Sequence, residues 1–181
     1  MACAHVVAFR KPGAATQSIL VPTDGSALSI AGALKAVEFA RRVEARLVVF
    51  SSIPNYRYPI YVGGIPFEYP SETEYEGQCR AIVARYLDLV VDEAAKLGVE
   101  ASARAQFDGN PAQAILGAAE DAHCSMIYMS SHGRSGFSRT FLGSVAFKTV
   151  TLAHIPVLVD HPTPDEVAHA EALLKENAIE S

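Results

Sequence analysis

The sequence of 181 residues has no tryptophan, only three cysteines, and a charged share of 19%. Cys3, Cys79 and Cys124 are far apart and form no CxxC pair, which argues against a disulfide framework or a structural zinc site. No apolar run is long enough to span a bilayer, and no basic segment precedes the short apolar run at the N-terminus, so we expect neither a membrane segment nor an export signal. These absences favour a reducing, cytoplasmic location.

Positive charge is also in short supply. Lysine and arginine total 15 against 20 aspartates and glutamates, and the net charge is −5. Such a chain has no strong field to draw it onto nucleic acid or an anionic membrane, so we expect neither as a partner. A hydrophobic share of 50% predicts a compact fold, and the length predicts a single domain over residues 1–181.

Several active-site motifs are missing as well. The sequence contains neither the P-loop pattern GxxxxGK[ST] nor the dinucleotide fingerprint GxGxxG. Gly133-Arg-Ser-Gly136 lacks one residue of the hydrolase pattern GxSxG. The pairs Cys3-Ala-His5 and His123-Cys124 have no further ligands at useful spacing, so we predict no metal site and no catalytic residues.

Strand and helix patterns alternate along the chain. Apolar bursts that end in turn residues predict buried strands from Ser18, over Arg46–Ile53, over Ser125–Ser130 and over Ile155–Asp160. Alternation over Val99–Phe107 predicts a further strand with one wet face at a sheet edge. Helical periodicity or capping residues predict helices over Ser29–Glu44, from about Glu72 to Gly98, from Pro111 and from Gly143-Ser144.

This order predicts an α/β fold with an open, five-stranded parallel sheet in the order 3-2-1-4-5 and helices on both faces. In such sheets the ligand lies beyond the carboxyl ends of the strands where the winding reverses, here between the first and fourth strands. The loops that leave those two strands are Pro22–Ser26 and Ser130–Gly136.

The second loop and the helix after it have the composition of a phosphate site. Small residues and two glycines allow the backbone of Ser130–Gly136 to aim N–H groups at an anion. Gly143-Ser144 then begins a helix, whose N-terminus favours negative charge. The alternative is a tight turn followed by an ordinary cap, and spacing alone leaves both readings open.

Five blocks of the sequence, in order, resemble the universal stress protein family: Val21–Ser26, Gly109–Ala112, Ser130–Arg134, Leu142–Ala146 and Pro156–Val159. The resemblance covers roughly residues 17–160. It implies a Rossmann-like fold similar to that of the adenine nucleotide alpha hydrolases. It also implies a stress-response regulatory module that binds ATP, AMP or another adenine nucleotide, with or without magnesium. No general base stands beside a nucleophile, so we expect at most slow ATP hydrolysis.

The nucleotide-binding branch of that family has a glycine, two residues, a glycine, nine residues, and then Gly-Ser or Gly-Thr. Gly133 and Gly143-Ser144 match this motif, but Ser130 stands where its first glycine would be. Serine adds a hydroxymethyl group and disfavours positive φ. Its hydroxyl can also bind a phosphate or the ribose, so Ser130 is itself a candidate nucleotide-binding residue. We regard it as the mildest replacement, and binding remains the favoured interpretation. The alternative is a stress protein that acts through protein contacts without a nucleotide.

The resemblance also implies roles for single residues. Asp24 would face the nucleoside beside Pro22 and Thr23, and the backbone of Ser52 would meet the adenine edge. The phosphates would be held by Gly133, Arg134, Gly143, Ser144 and Val145, with His132 at the ribose or phosphate. Asp24 can instead cap the next helix, His132 can be a plain loop histidine, and Arg134 can be a solvated charge.

Four further segments are the last strand, an N-terminal extension, a tyrosine-rich stretch and a C-terminal helix. The resemblance implies a homodimer through the last strand, Pro156, Val157, Leu158 and Val159. Residues 1–16 form an extension, and the stretch 54–77 has five of the seven tyrosines and four prolines, which suits either a lid over the base or a packing surface. Thr163–Glu166 predicts the start of an additional helix over 163–179 that either embraces a partner subunit or folds back on its own chain.

Overall fold

Strands and helices alternate in the computed structural model, which describes residues 17–57, 70–132 and 142–179. The strands are β1 (Ser18–Pro22), β2 (Arg46–Ile53), β3 (Ala101–Phe107), β4 (Met126–Ser130) and β5 (Val157–Asp160). The helices are α1 (Ala27–Val43), α2 (Glu72–Lys96), α3 (Pro111–Asp121), α4 (Ser144–Leu152) and α5 (Pro164–Ile179). Among these helices of the described chain, none is long and apolar enough to cross a membrane.

All strands are parallel, in the order β3-β2-β1-β4-β5, which confirms the predicted sheet. β1 lies at the centre, and its residues Ser18–Val21 are buried. Because the chain continues from β1 to β2 on one side and enters β4 on the other, the carboxyl ends of β1 and β4 border the crevice of the open sheet.

Helices cover both faces of the sheet, as predicted. On one face, α1, α2 and α5 pack against the side chains of Leu47 and Val49. On the other face, α3 and α4 pack against Val48 and Phe50. Neighbouring residues of β2 therefore contribute to opposite layers, as the strand period of two requires.

Local capping signals fix several helix ends. Ser71 and Glu74 form a reciprocal capping box at the start of α2, and Gly98, with φ +70°, follows its end. α1 begins two residues before the predicted start because Ser26 caps it. Asn110 has the N-cap position of α3, but its side chain makes no capping bond.

β3 differs in part from its prediction. It is the edge strand, as predicted, but Ala103 and Ala105 are exposed along with Ser102, Arg104 and Gln106. Only the ends of the strand are half-buried, and Arg80 of α2 lies 4.7 Å above the ring of Phe107. The alternation predicts that Ala103 and Ala105 are buried, but their side chains are too short to reach α2 as Phe107 does.

The ends of the tyrosine-rich stretch hold each other, although residues 58–69 lie outside the described chain. The hydroxyl of Tyr56 donates to the carbonyl of Pro70 at 2.8 Å, and that of Tyr75 donates to the carbonyl of Pro54 at 3.0 Å. The two rings are 5.4 Å apart. These contacts bring the chain after β2 back to the start of α2, while both readings of the stretch stay predictions.

α5 folds back on its own chain. Ala170 is fully buried, and Val167, Leu173 and Leu174 pack against the core that α1 and α2 share. Thr163 and Glu166 form the predicted capping interaction, since the Thr163 N–H donates to Glu166 Oε2 at 2.7 Å.

A lysine of α1 ties α5 to β5. Lys35 Nζ lies 2.9 Å from Asp160 Oδ1 and 3.4 Å from Glu166 Oε2. Burial opposes the charge of Lys35, but its hydrogen bond to Asp160 and the charges of both carboxylates outweigh burial and raise its pKa. The hydrogen bond from the Thr163 backbone lowers the pKa of Glu166, and burial together with the Asp160 charge raises the pKa of Tyr128 to about 12. The ionic contacts and the apolar stripe therefore favour the same position of α5.

We predict that Ala170→Leu destabilises the protein by about 1–3 kcal/mol, the usual effect of overpacking a filled core. The same substitution at exposed Ala168 on the same helix should change the stability by less than about 0.5 kcal/mol. Urea unfolding of the two variants measures the difference. Equal stabilities would show that α5 does not pack against α1 and α2 in solution.

Candidate functional site

The ends of β1 and β4 meet the first turn of α1. The Thr23 N–H donates to the carbonyl of Phe50 at 2.9 Å, which continues the ladder between β1 and β2. The hydroxyl of Ser130, the last residue of β4, donates to the carbonyl of Leu28 in α1 at 3.2 Å. Pro22, Thr23 and Ser130 therefore lie at one end of the sheet, and Ser52 lies at the same end of β2.

Asp24 has a structural role in this loop. Its Oδ1 accepts hydrogen bonds from the Ser26 N–H at 3.0 Å and from the hydroxyls of Ser26 and Ser29 at 2.7 Å each. Thr23 Oγ1 lies 2.8 Å from Ser29 Oγ and joins the same network. The network holds the loop onto the start of α1, whose N-cap is Ser26 rather than Asp24. Contact of Asp24 with a nucleoside stays a prediction.

Tyr86 of α2 supports this loop and was not predicted as a site residue. Its ring lies so close to Gly25 that a Cβ there would be 2.5 Å from Tyr86 Cδ1, and the φ of Gly25 is +77°. The Tyr86 hydroxyl lies 2.6 Å from Ser51 Oγ, a hydrogen bond within the core. Sequence periodicity predicts that Tyr86 lies on the buried face of α2. It does not predict the contact with Gly25, which is 61 positions away in sequence.

Ser130 directs its side chain into α1. A Cβ on Gly32 would overlap Ser130 Oγ, so the absence of a side chain at Gly32 makes room for the hydroxyl. Within the described residues only Glu44 and His123 combine a side chain with positive φ, so Ser130 has a backbone conformation that serine adopts freely. The serine in place of the motif's glycine therefore fits without strain and directs its hydroxyl to α1.

α4 begins at a residue that has no side chain to cap it. Gly143 is the N-cap, and the Gly143 N–H donates to the carbonyl of Ser131 at 2.8 Å. Ser144 is exposed, whereas Val145 packs its side chain against the core below α3 and α4. The N–H groups at Ser144 and Val145 belong to the turn whose donors have no acceptor within the helix. Gly133 and Arg134 lie outside the described residues.

Two further residues, Ser131 and His161, join this end of the sheet without having been predicted. Ser131 is buried, and its Oγ lies 2.8 Å from His161 Nδ1 and 3.1 Å from His132 Nδ1. His132 contacts the helix start, because a Cβ on Gly143 would lie 3.5 Å from His132 Cα and 3.9 Å from its Cδ2. His132 is half-buried beside the start of α4, and its role at a ribose or phosphate stays a prediction.

Ser52 contributes a buried polar atom. Its Oγ has no hydrogen-bond partner among the described residues, although the residue as a whole is only half-buried. Over the same part of the chain, no group of three or more histidine, cysteine, aspartate or glutamate residues could hold a metal ion. The site as described thus offers hydroxyls, amides and an imidazole rather than a cluster of charges.

Comparisons with known proteins agree with this architecture. The profile of the universal stress protein family matches residues 15–161. Universal stress protein MJ0531 of Methanocaldococcus jannaschii is 31% identical over 153 residues, which are 79% of this chain and 81% of the relative.

Solved structures show the same fold. A universal stress protein in complex with cAMP has a TM-score of 0.60 and 20% identity, covering 83% of this chain and 100% of the other. The universal stress protein from Archaeoglobus fulgidus in complex with dAMP has a TM-score of 0.53 and 19% identity, covering 80% and 97%. The match to the family profile and the similarity to the Methanocaldococcus jannaschii protein establish that the chain belongs to the universal stress protein family.

Proposed function

We propose that this protein binds an adenine nucleotide beyond the carboxyl ends of β1 and β4 and acts in the cytoplasm as a stress-response regulatory module. The observation that carries the proposal is the first turn of α4, which lies beside His132 and whose N-cap, Gly143, has no side chain to bond the free N–H groups. Two structurally similar family members were solved with cAMP and dAMP, which supports an adenine nucleotide as the ligand.

The phosphate end of the site rests on backbone donors. The Gly143 N–H is already bonded to Ser131, so we assign the phosphate contacts to the N–H groups of Ser144 and Val145. The positive end of the helix dipole stabilises an anion there by about 0.3–1 kcal/mol, and each N–H bond to a charged oxygen adds about 1.5–3 kcal/mol. We assign Gly133 and Arg134 to the same end from the family motif alone.

The nucleoside end rests on β1 and β2. Pro22, Thr23 and Asp24 would form one wall, and the backbone of Ser52 would meet the adenine edge. Asp24 Oδ1 already accepts three hydrogen bonds, which makes this carboxylate a poor general base. We therefore expect ATP, with or without magnesium, to be bound and hydrolysed slowly at most.

The first prediction concerns the start of α4. Ser144→Tyr places a ring over the first turn and should lower the affinity for ATP at least about tenfold, because it blocks two charge-assisted hydrogen bonds. Thr151→Tyr, at the exposed far end of the same helix, is the matched control and should leave the affinity unchanged. Calorimetric titration of ATP into nucleotide-free protein measures both.

Purified protein should also release an adenine nucleotide on denaturation, which absorbance and chromatography detect. If the wild type neither releases a nucleotide nor binds added ATP, the proposal is wrong, and a stress protein acting through protein contacts is the better reading. If Ser144→Tyr binds as well as the wild type, the phosphate lies elsewhere.

Ser130 and Gly32 provide a separate test of how the fold accommodates a serine where the family motif has its first glycine. Gly32→Ala should cost about 1–3 kcal/mol through its clash with Ser130 Oγ. In a Ser130→Gly background the same change should be neutral or stabilising by up to about 1 kcal/mol, since alanine favours helix. Urea unfolding of the four proteins measures the cycle, and additive effects would refute the contact. Ser130→Gly alone should leave the ATP affinity within about twofold, because the hydroxyl faces α1.

We propose in addition that two copies associate through β5. Within the described residues β5 pairs only with β4, and its other edge is open. Phe147 and Val150 of the neighbouring helix α4 are 60% and 43% exposed, so apolar surface lies next to that edge. An open edge beside an apolar surface favours a partner.

Proline substitutions test this association. The Ile127 N–H donates to Pro156 and the Ser131 N–H to Asp160, so parallel pairing directs the Val159 N–H away from β4. Val159→Pro should therefore keep the fold but convert dimers to monomers in analytical ultracentrifugation. Ala103→Pro, whose lost N–H likewise faces away from β2 on the opposite edge, is the control and should remain dimeric. A wild type that sediments as a monomer would refute the proposal.

A further inference from the structure

Ser131 joins two histidines from different elements. Its hydroxyl oxygen lies within hydrogen-bond distance of Nδ1 in both rings, at 2.8 Å for His161 and 3.1 Å for His132. The ring centroids are 6.2 Å apart in an edge-on arrangement. The backbone fixes the hydroxyl in place, because the Ser131 N–H donates to Asp160 and its carbonyl accepts from Gly143, both at 2.8 Å.

The chemistry of this bridge couples the two rings. A serine hydroxyl has one proton, so it can donate to only one of the two Nδ1 atoms. When both rings are neutral, the other Nδ1 must carry a proton and donate to the serine oxygen. The two rings therefore hold opposite tautomers, since the hydrogen bond at one ring nitrogen sets the proton on the other.

The two arrangements present different atoms to the proposed site. When Ser131 donates to His132, the proton of His132 is on Nε2, and His161 carries its proton on Nδ1. When Ser131 donates to His161, His132 Nε2 is a bare lone pair. Cδ2, the ring atom next to Nε2, is the side of His132 that faces Gly143 at the start of α4. Only the first arrangement offers a phosphate there a neutral N–H donor.

We propose that His161 is a positioning residue of the nucleotide site, which acts through Ser131 to hold the proton of His132 on Nε2. The inference rests on the proposed function, because a phosphate at the start of α4 is what selects this arrangement. In a molecule that starts in the second arrangement, binding moves the Nδ1 proton of His132 to Ser131 and the Ser131 proton to His161 Nδ1. His161 Nε2 releases a proton to solvent, His132 Nε2 takes one up, and the net charge is unchanged.

The coupling links the tautomer of His132 in the site to the tautomer of His161 outside it. His161 is exposed and directly follows β5, whereas His132 is half-buried beside α4. A phosphate at one ring is therefore reported as a changed tautomer at the other, next to the strand that we propose as the dimer edge.

Nitrogen NMR of histidine-labelled protein tests this directly, at about two pH units above the ordinary histidine pKa of about 6.5 so that neutral rings dominate. His132→Gln and His161→Gln identify the signals of these two residues among the six histidines. On adding ATP we expect His132 to carry its proton on Nε2 and His161 on Nδ1. Adenosine, which lacks phosphate, should leave both tautomers as they are in the free protein. In Ser131→Ala, the His161 tautomer should no longer respond to ATP.

Affinity gives a second readout. His161→Ala should weaken ATP binding several-fold, up to the roughly tenfold effect of one hydrogen bond to an anion, and leave adenosine binding unchanged. His161→Asn, whose amide can still donate to Ser131, should recover most of the loss. His154→Ala, an exposed histidine before β5, is the matched control and should bind as the wild type does.

The outcomes separate the two proposals. If the wild type binds ATP but His161 does not then carry its proton on Nδ1, or His161→Ala binds normally, this inference is wrong and the proposed function stands. If the wild type binds neither ATP nor adenosine, the proposed function is wrong, and the inference that rests on it fails too.

Discussion

The backbone of Ser131 is the connection on which this end of the molecule depends. Its N–H extends the ladder from β4 to β5, and its carbonyl receives the N–H of Gly143, which begins α4. One residue thus connects the end of β5 with the start of α4. Because both of its backbone groups are used, Ser131 can contribute to a ligand only through its side chain, which the two imidazoles already engage.

On the other side of the crevice, α1 is held close to the sheet by small residues. Gly25 allows the ring of Tyr86 beneath the loop after β1, and Gly32 allows the hydroxyl of Ser130 to enter the helix surface. The carboxylate of Asp24 then completes the start of α1 with hydroxyl partners. Residues that look like ligand contacts in sequence are therefore partly engaged in holding the loop. The groups left for the proposed ligand are chiefly backbone N–H groups, which suits a phosphate site without a lysine.

The parts of this arrangement that could be predicted depend on local signals. The pairs Ser71 with Glu74 and Thr163 with Glu166 each indicate a helix start within a window of four residues. Apolar bursts identify buried strands, and their alternation with helices predicts the order of the strands in the sheet. The contacts that decide the site are distant in sequence: Ser130 meets Leu28 across 102 positions, and Ser131 meets His161 across 30. No periodicity encodes such pairs, because they arise only once the order of strands is set. Gly133 and Arg134 lie outside the described residues and stay predictions.

The net charge of −5 is compatible with phosphate binding for a physical reason. Long-range attraction depends on summed charge, but helix-dipole stabilisation falls off within the first turn and hydrogen bonds act at contact distance. Lys35 of α1 contacts Asp160 at the end of β5 and Glu166 of α5. Its charge is thus neutralised and helps to dock α5. A neutral histidine whose proton is fixed by its neighbours adds a donor without adding charge. The proposed site would select a phosphate by the positions of its N–H groups, which does not require a positive net charge.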